Sequence, residues 1–271
     1  MNFIPCFLSI VFIGIGVFFV FRFFKMKEKI FQMKATDTVT AESLRTSCDE
    51  IAAEIGPGGF NQLCEVKGKL VSDEPLKAEL SGQACVYYEA TITRRWEEQV
   101  EEYNSQTKRH ERRTVTGTDT VAHNVRETTC AVDDGTGQIP VRLHGAEIDA
   151  IQSVSRFEPG QQPGIQIGGM RLSFTGGSGR RTVGYQYTER VLPLGATVYV
   201  LGEARDQEGG LSMRKPDDAS KKFFITTRSE EELLQETAKS KTMALVGAIA
   251  LGVLGVLAAL GQVLVWLGNL F

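Results

Sequence analysis

Nowhere in the 271 residues do two cysteines stand at Cys-x-x-Cys spacing. The five present, at positions 6, 48, 64, 85 and 130, are scattered singly, which argues against a zinc ribbon or a thiol-redox motif and fits reduced thiols. His110, His123 and His144 likewise lack the spacing of a metal cluster. There is no basic excess: 30 Lys and Arg stand against 33 Asp and Glu, a net charge of -3, so the electrostatic footprint of a nucleic-acid binder is missing. No Gly-x-Ser-x-Gly elbow, His-Glu-x-x-His pair or dinucleotide fingerprint occurs. From these absences no catalytic residue, cofactor or metal ligand is assigned. Asp133 and Asp134 are adjacent carboxylates, but neighbouring residues of a turn point in different directions, so a turn role is expected.

Charge is also missing from both ends. Met1 to Phe21 carries none, and neither does Thr242 to Phe271. A helix needs roughly 20 apolar residues to cross a hydrocarbon core, so spans are expected at 1–24 and 242–271. A cleaved signal peptide would carry its basic residues before the apolar run; here Arg22 and Lys25 follow it. Arg22, Lys25, Lys27, Lys29 and Lys34 follow the first run, and Lys239 and Lys241 precede the second. Both biases put the middle of an integral, two-pass protein on the cytoplasmic side. A mean hydropathy of -0.11 averages two apolar ends with a charged centre. Ala244, Ala248 and Gly252 form a small-residue stripe that could seat one helix on another or join two copies as a homo-oligomer.

The middle reads as mainly β. Residues 25–60 form a juxtamembrane linker containing a helix, Ala41 to Ile55, with Thr40 as N-cap, Leu44, Cys48, Ile51, Ala52 and Ile55 on one face, and Gly56-Pro57-Gly58-Gly59 as its stop. The β domain is placed at 61–228. Its strands are expected at 64–71, 84–93, 120–125, 128–132, 138–143, 185–191, 196–202, 211–214 and 223–227, with a short helix at 146–154. A second juxtamembrane helix, 229–241, opens with the capping-box pair Ser229 and Glu232.

Two insertions stand out. The Gly- and Gln-rich segment 159–181 reads as a flexible loop. Segment 94–113 reads as a projecting hairpin turning at Asn104-Ser105-Gln106, which opposes Glu102 with Lys108, Glu101 with Arg109, Glu98 with Arg112 and Glu97 with Arg113. A helix would instead set Glu97 over Glu101 and Glu98 over Glu102, like charges at i,i+4. These eight residues are the candidate partner contact.

The rhythm of strand, Asp133-Asp134-Gly135-Thr136-Gly137 turn, strand, and then Leu194 to Gly202 resembles an OB-type barrel, in which a helix often plugs the barrel between its third and fourth strands. The fold class is therefore expected to be mainly β, an OB-like or related barrel with short helices, flanked by two transmembrane helices. A broader resemblance rests on Val66-Lys67-Gly68-Lys69, Glu74-Pro75-Leu76 and Cys85-Val86-Tyr87-Tyr88, then Gly184-Tyr185-Gln186-Tyr187-Thr188-Glu189-Arg190-Val191-Leu192, Gly195, Gly202-Glu203, Pro216 and Phe223-Phe224-Ile225-Thr226. These are similar to the GIDE, or "beside a membrane", domain of organellar E3 ubiquitin ligases. The resemblance implies family-motif positions at Gly68, Pro75, Leu76, Tyr88, Asp134, Gly137, Thr188, Glu189, Gly195, Gly202 and Glu203. It would also imply a RING, which takes eight Cys/His ligands; this sequence has five Cys and three His in all, dispersed. The expectation is thus a RING-less, bacterial-type member in a bacterial inner or thylakoid-type membrane.

Functionally, the expectation is a membrane-anchored, non-catalytic binding or scaffold module. Its expected partners are the lipid bilayer and an unidentified membrane or cytoplasmic protein, with no nucleic acid. The alternatives are a component of ubiquitin transfer that needs a separate RING, and an OB-like ligand-binding domain.

Overall fold

Alternation of apolar and polar residues between Asn61 and Thr226 produces fourteen strands in a computed structural model that describes residues 38–106, 108–160, 165–167, 170–172, 179–207, 210–228 and 232. Helix α1 is Ala41–Ile55. The first strands are β1 (Asn61–Val71), β2 (Leu76–Lys77), β3 (Ala84–Asn104), β4 (Arg109–Glu127) and β5 (Cys130–Asp133). Then come β6 (Gln138–Val141), β7 (Glu147–Asp149), β8 (Ile151–Pro159), β9 (Ile165–Ile167) and β10 (Met170–Leu172). The last are β11 (Arg180–Pro193), β12 (Thr197–Asp206), β13 (Leu211–Arg214) and β14 (Phe224–Thr226). Thr38–Thr227 forms one unit.

Five strands close a ring. β1 pairs β5, β5 pairs β6, β6 pairs β13 in parallel, β13 pairs β12, and β12 returns to β1. Numbered along the chain these five run 1-2-3-5-4, a closed Greek-key barrel, so the barrel expected from the rhythm is present. Its interior alternates as a barrel must: Val66 and Leu70 on β1, Val132 on β5, Ile139 on β6, Val198 and Val200 on β12, and Met213 on β13 are all buried in one cluster.

α1 has the predicted bounds and the predicted Thr40 cap, whose hydroxyl accepts from the Ser43 amide at 3.2 Å. Read from the sequence as part of a linker, it packs into the barrel core through Ala41, Leu44 and Cys48. Burying Leu44 alone is worth about 1.5–3 kcal/mol. Ile55, expected on the same face, is exposed, because the helix ends there at Gly56 (φ 91°).

The expected helix at 146–154 is absent. Its residues form β7, which pairs in parallel with β14, and β8, which pairs with β11. Ile148, Ile151 and Val154 suit a pleated surface, and tertiary pairing outweighs a weak helical spacing. The expected flexible loop 159–181 is also corrected in part, since β9 and β10 pair as a small hairpin within it and β11 starts at Arg180.

Two long excursions leave the barrel, 72–129 between β1 and β5 and 142–196 between β6 and β12, and together they build a second antiparallel sheet. Its order is β2-β3-β11-β8, with β4 on the same edge of β3 as β2. One face is covered by the turn after β2, where Leu76, Ala78 and Leu80 pack on Cys85, Tyr88, Ala90, Ile92 and Val191.

The expected spans 1–24 and 242–271, the helix 229–241 and the Ala244, Ala248, Gly252 stripe lie outside the described residues. Among the described residues no helix is long and apolar enough to cross a membrane.

Candidate functional site

Two carboxylates among the motif positions act as internal anchors. Glu189 lies in the middle of β11, fully buried, between β3 and β8. Its Oε1 accepts from the Leu80 amide at 2.6 Å; its Oε2 accepts from the Ser81 amide at 3.0 Å and from Ser153 Oγ at 2.9 Å. Burial, the largest influence, pushes this carboxyl's pKa up, but hydrogen bonds from Ser81, Leu80 and Ser153 outweigh it and hold it below the ordinary glutamate value. Glu189 therefore pins the turn after β2 onto the second sheet.

Asp134 does the same for the barrel. Its Oδ2 accepts from the Ala41 amide at 2.7 Å, at the first turn of α1, where a carboxylate meets free N–H groups and the positive helix end. Its Oδ1 accepts from the Thr136 amide at 2.9 Å, Thr136 Oγ1 at 2.8 Å and the Gly137 amide at 3.2 Å. Here too burial raises the pKa and the donors, Ala41 first, bring the net direction down. The β5–β6 turn and the helix cap thus share one side chain.

The other motif positions are points of close approach. A methyl group on Gly68 would sit 2.4 Å from the Asp133 carbonyl oxygen, and one on Gly202 would sit 2.7 Å from the Phe223 ring. Gly137 faces the Ala41 methyl, and Gly195 makes the β11–β12 turn at φ 76°. Pro75 stands just before β2, where a missing N–H costs nothing, and Leu76 enters the apolar cluster beneath. Tyr88 OH accepts from Asn124 Nδ2 at 3.3 Å, and Thr188 Oγ1 donates to the Thr91 carbonyl at 3.3 Å. Glu203 and Arg205 form a buried ion pair on the outward side of β12, extended by Asp217 at 2.5 Å from Arg205.

The arm is where side chains reach outward. β3 and β4 pair from Tyr87↔Glu127 to Asn104↔Arg109 with one register shift, at Val121, and β11 backs β3 only as far as Arg180↔Glu98. Beyond Glu98 two strands stand alone among the described residues; six residues at roughly 3.4 Å each make a projection of about 20 Å. The hairpin is as expected but its register is not. The loop contains four residues, 105–108, so Glu101 faces Arg112 and Glu102 faces Glu111. Lys108 is a turn residue with φ 52° and has no place opposite Glu102. Arg112 Nε donates to Glu101 at 3.0 Å; Arg113 reaches Glu102 diagonally at 3.8 Å, and Asn104 Nδ2 donates to Glu111 at 3.1 Å. Arg109 faces Asn104, so the expected pair with Glu101 is not formed.

Glu97 and Glu98 turn instead to β11, where Arg181 and Arg180 meet them at 2.7 and 3.1 Å. Arg180 also lies 4.2 Å over the Trp96 ring, whose other partner is Gly117: a methyl there would meet the indole at 2.3 Å. Arg180, Arg181, Trp96, Ser153 and Arg205 were not singled out from the sequence. The acidic doublet 97–98 matched by a basic doublet 180–181 was the available signal.

Among the described residues no group of three or more His, Cys, Asp or Glu side chains could hold a metal ion. Cys48, Cys64, Cys85 and Cys130 are buried free thiols.

The profile of the GIDE family, described as E3 ubiquitin ligase, matches residues 97–261, more than half of the chain. Among curated proteins, a stretch of 129 residues is 27% identical to E3 ubiquitin-protein ligase SPL1 of Arabidopsis thaliana, covering 46% of this chain and 36% of the relative. The chain therefore spans about a third of the length of that relative. No solved structure matches the chain.

Proposed function

The chain belongs to the GIDE family, and from that premise we propose that it is a membrane-anchored, non-catalytic binding or scaffold module whose arm contacts a protein partner. The observation that carries this reading is the arm itself. The tip stands clear of the third strand, Tyr103 is 56% exposed, and the charged side chains around it are solvated, whereas Glu189 and Asp134 are consumed in holding the fold. Anchoring rests on the two uncharged ends, and orientation rests on the basic residues that flank them. The module would then present its arm from a bacterial inner or thylakoid-type membrane to the cytoplasmic side.

The test is a cross-linking pull-down of the full chain in its native membrane, with and without residues 100–113. A reproducible partner lost on deletion supports a docking arm; the same partners recovered from both chains overturn it. Resistance to alkaline extraction checks the anchoring.

A second reading has support from the family description and from the name of the plant relative: participation in ubiquitin-type transfer together with a separate RING protein. It predicts ubiquitin chains in a reconstituted reaction that depend on this chain. Identical output with and without it would remove that reading. The closed five-strand barrel favours a third, binding of a small ligand at the barrel surface; the thermal shift of the chain across a glycan and lipid headgroup panel tests it.

A further inference from the structure

The outer edge of β4 has no strand beside it among the described residues; its only pairing is with β3. It is nineteen residues long and without a buried side chain, and the one bulge in its pairing, at Val121, leaves the stretch before it flat and regular. From Thr114 to Thr120 there is no proline and no lysine, five of the seven positions are Thr or Val, and the one charge is Asp119. A free edge of this composition is a template for another extended chain.

We propose that this edge pairs with the same edge of a second copy, antiparallel about a two-fold axis through Thr114. The register follows from charge. Below a bulge at Val121, where Ile92↔Ala122 gives way to Thr93↔Thr120, the alternation of β4 is unbroken from Arg109 to Thr120. Within that run, centring the axis on Thr114 sets Arg109 of each copy opposite Asp119 of the other and brings no like charges face to face. Centring one residue on, at Val115, would oppose Glu111 to Asp119 twice. Centring one residue back would oppose Arg113 to itself. A centre on Thr116 would set Arg113 opposite Asp119 but over a shorter overlap. Asp119 can serve: its Oδ2 holds Arg94 at 2.7 Å, yet the side chain remains 39% exposed and open to a second cation. A two-fold contact is self-complementary and closes, so it yields a dimer and no fibre.

This adds a partner to the scaffold reading, and the two can fail separately. The experiment uses the full chain in membranes, in a Cys6→Ser background, with Thr114→Cys, Val115→Cys or Thr116→Cys, under mild oxidation. The expected result is a disulfide-linked homodimer whose yield peaks at Thr114→Cys, at least fivefold above Val115→Cys, and falls at least fivefold when Arg109→Glu is added. No homodimer at any site, equal yields at all three, cross-linking to a different protein, or a yield indifferent to Arg109→Glu would each overturn it. Loss of the self-pairing with other partners still captured would sink this inference alone.

Discussion

Glu97 on β3 and Arg181 on β11 meet at 2.7 Å at the place where the second sheet narrows from three strands to two. Next to them Glu98 and Arg180 meet at 3.1 Å, and Arg180 covers the Trp96 ring. These contacts mark the root of the arm. A two-stranded ribbon is at best marginally stable in water, so what lies beyond depends on how firmly its root is held.

Arg181→Glu should loosen the arm and leave the barrel intact. Exposed pairs of this kind contribute about 0.2–1 kcal/mol, and the reversal adds repulsion of similar size. Hydrogen exchange at the amides of Gln99 to Asn104 is expected to quicken about twofold to thirtyfold by that energy, with barrel amides unchanged and the difference shrinking in high salt. Uniform acceleration across β1 and β12 would contradict the arrangement.

Glu189→Gln should be among the most damaging single changes that preserve shape. The amide replaces one acceptor oxygen with a donor and sets it among N–H groups from Leu80 and Ser81. Losing charge-assisted bonds and leaving one donor unpaired costs about 3 kcal/mol. The sign with pH is fixed by the lowered pKa of Glu189: its contribution is complete above the unfolded-state carboxyl value and disappears as pH falls through the folded-state value. The native chain should therefore lose stability on acidification below about pH 4.3, and the variant should lose less over that window. Parallel stability curves for the two chains would rule out this account.

How far the fold could be read in advance depended on how local its causes were. Thr40, Leu44, Cys48 and Gly56 define α1 through contacts within a few residues, and the helix bounds were legible. β13 was legible too, but the helix expected at 146–154 was not avoidable by local signals, because β7 and β8 acquire their pairing from Phe224 and Tyr187, far along the chain. The arm divides the same way. Its existence followed from alternating charge, while its register was decided by a left-handed Lys108 in a four-residue loop and by Arg180 and Arg181 arriving from elsewhere. For the motif positions, the sequence pointed to residues without their partners: nothing near Glu189 in the chain announces Leu80, Ser81 and Ser153.

Two glycines separate steric crowding from backbone strain. Gly68→Ala would drive a methyl to 2.4 Å from the Asp133 carbonyl, backbone that cannot move without parting β1 from β5. The expected cost is about 2–3 kcal/mol, the upper range for overpacking. Gly195→Ala has open space around it and a left-handed φ of 76°, so it should cost about 1 kcal/mol through strain alone. Denaturant titration should order the two variants in this way, and the reverse order would be incompatible with the close approach at Gly68.

Thiol reactivity bears directly on the transfer reading. Burial pushes Cys64 and Cys130 up to about 12 and raises Cys85 and Cys48 as well. At pH 8 a thiol at about 12 is ionised to roughly one part in 10⁴, against about one in four for a free cysteine near 8.5. Alkylation of these two by iodoacetamide should be slowed by three orders of magnitude or more in the folded chain and restored in denaturant, as mass spectrometry of tryptic peptides can follow. A protein thioester would need a thiolate that is exposed and present at neutral pH, which none of the four described cysteines supplies. Rapid labelling of Cys64 or Cys130 in the native protein would reverse this conclusion and reopen a covalent role for that thiol; labelling confined to the unfolded chain leaves these two thiols as core packing.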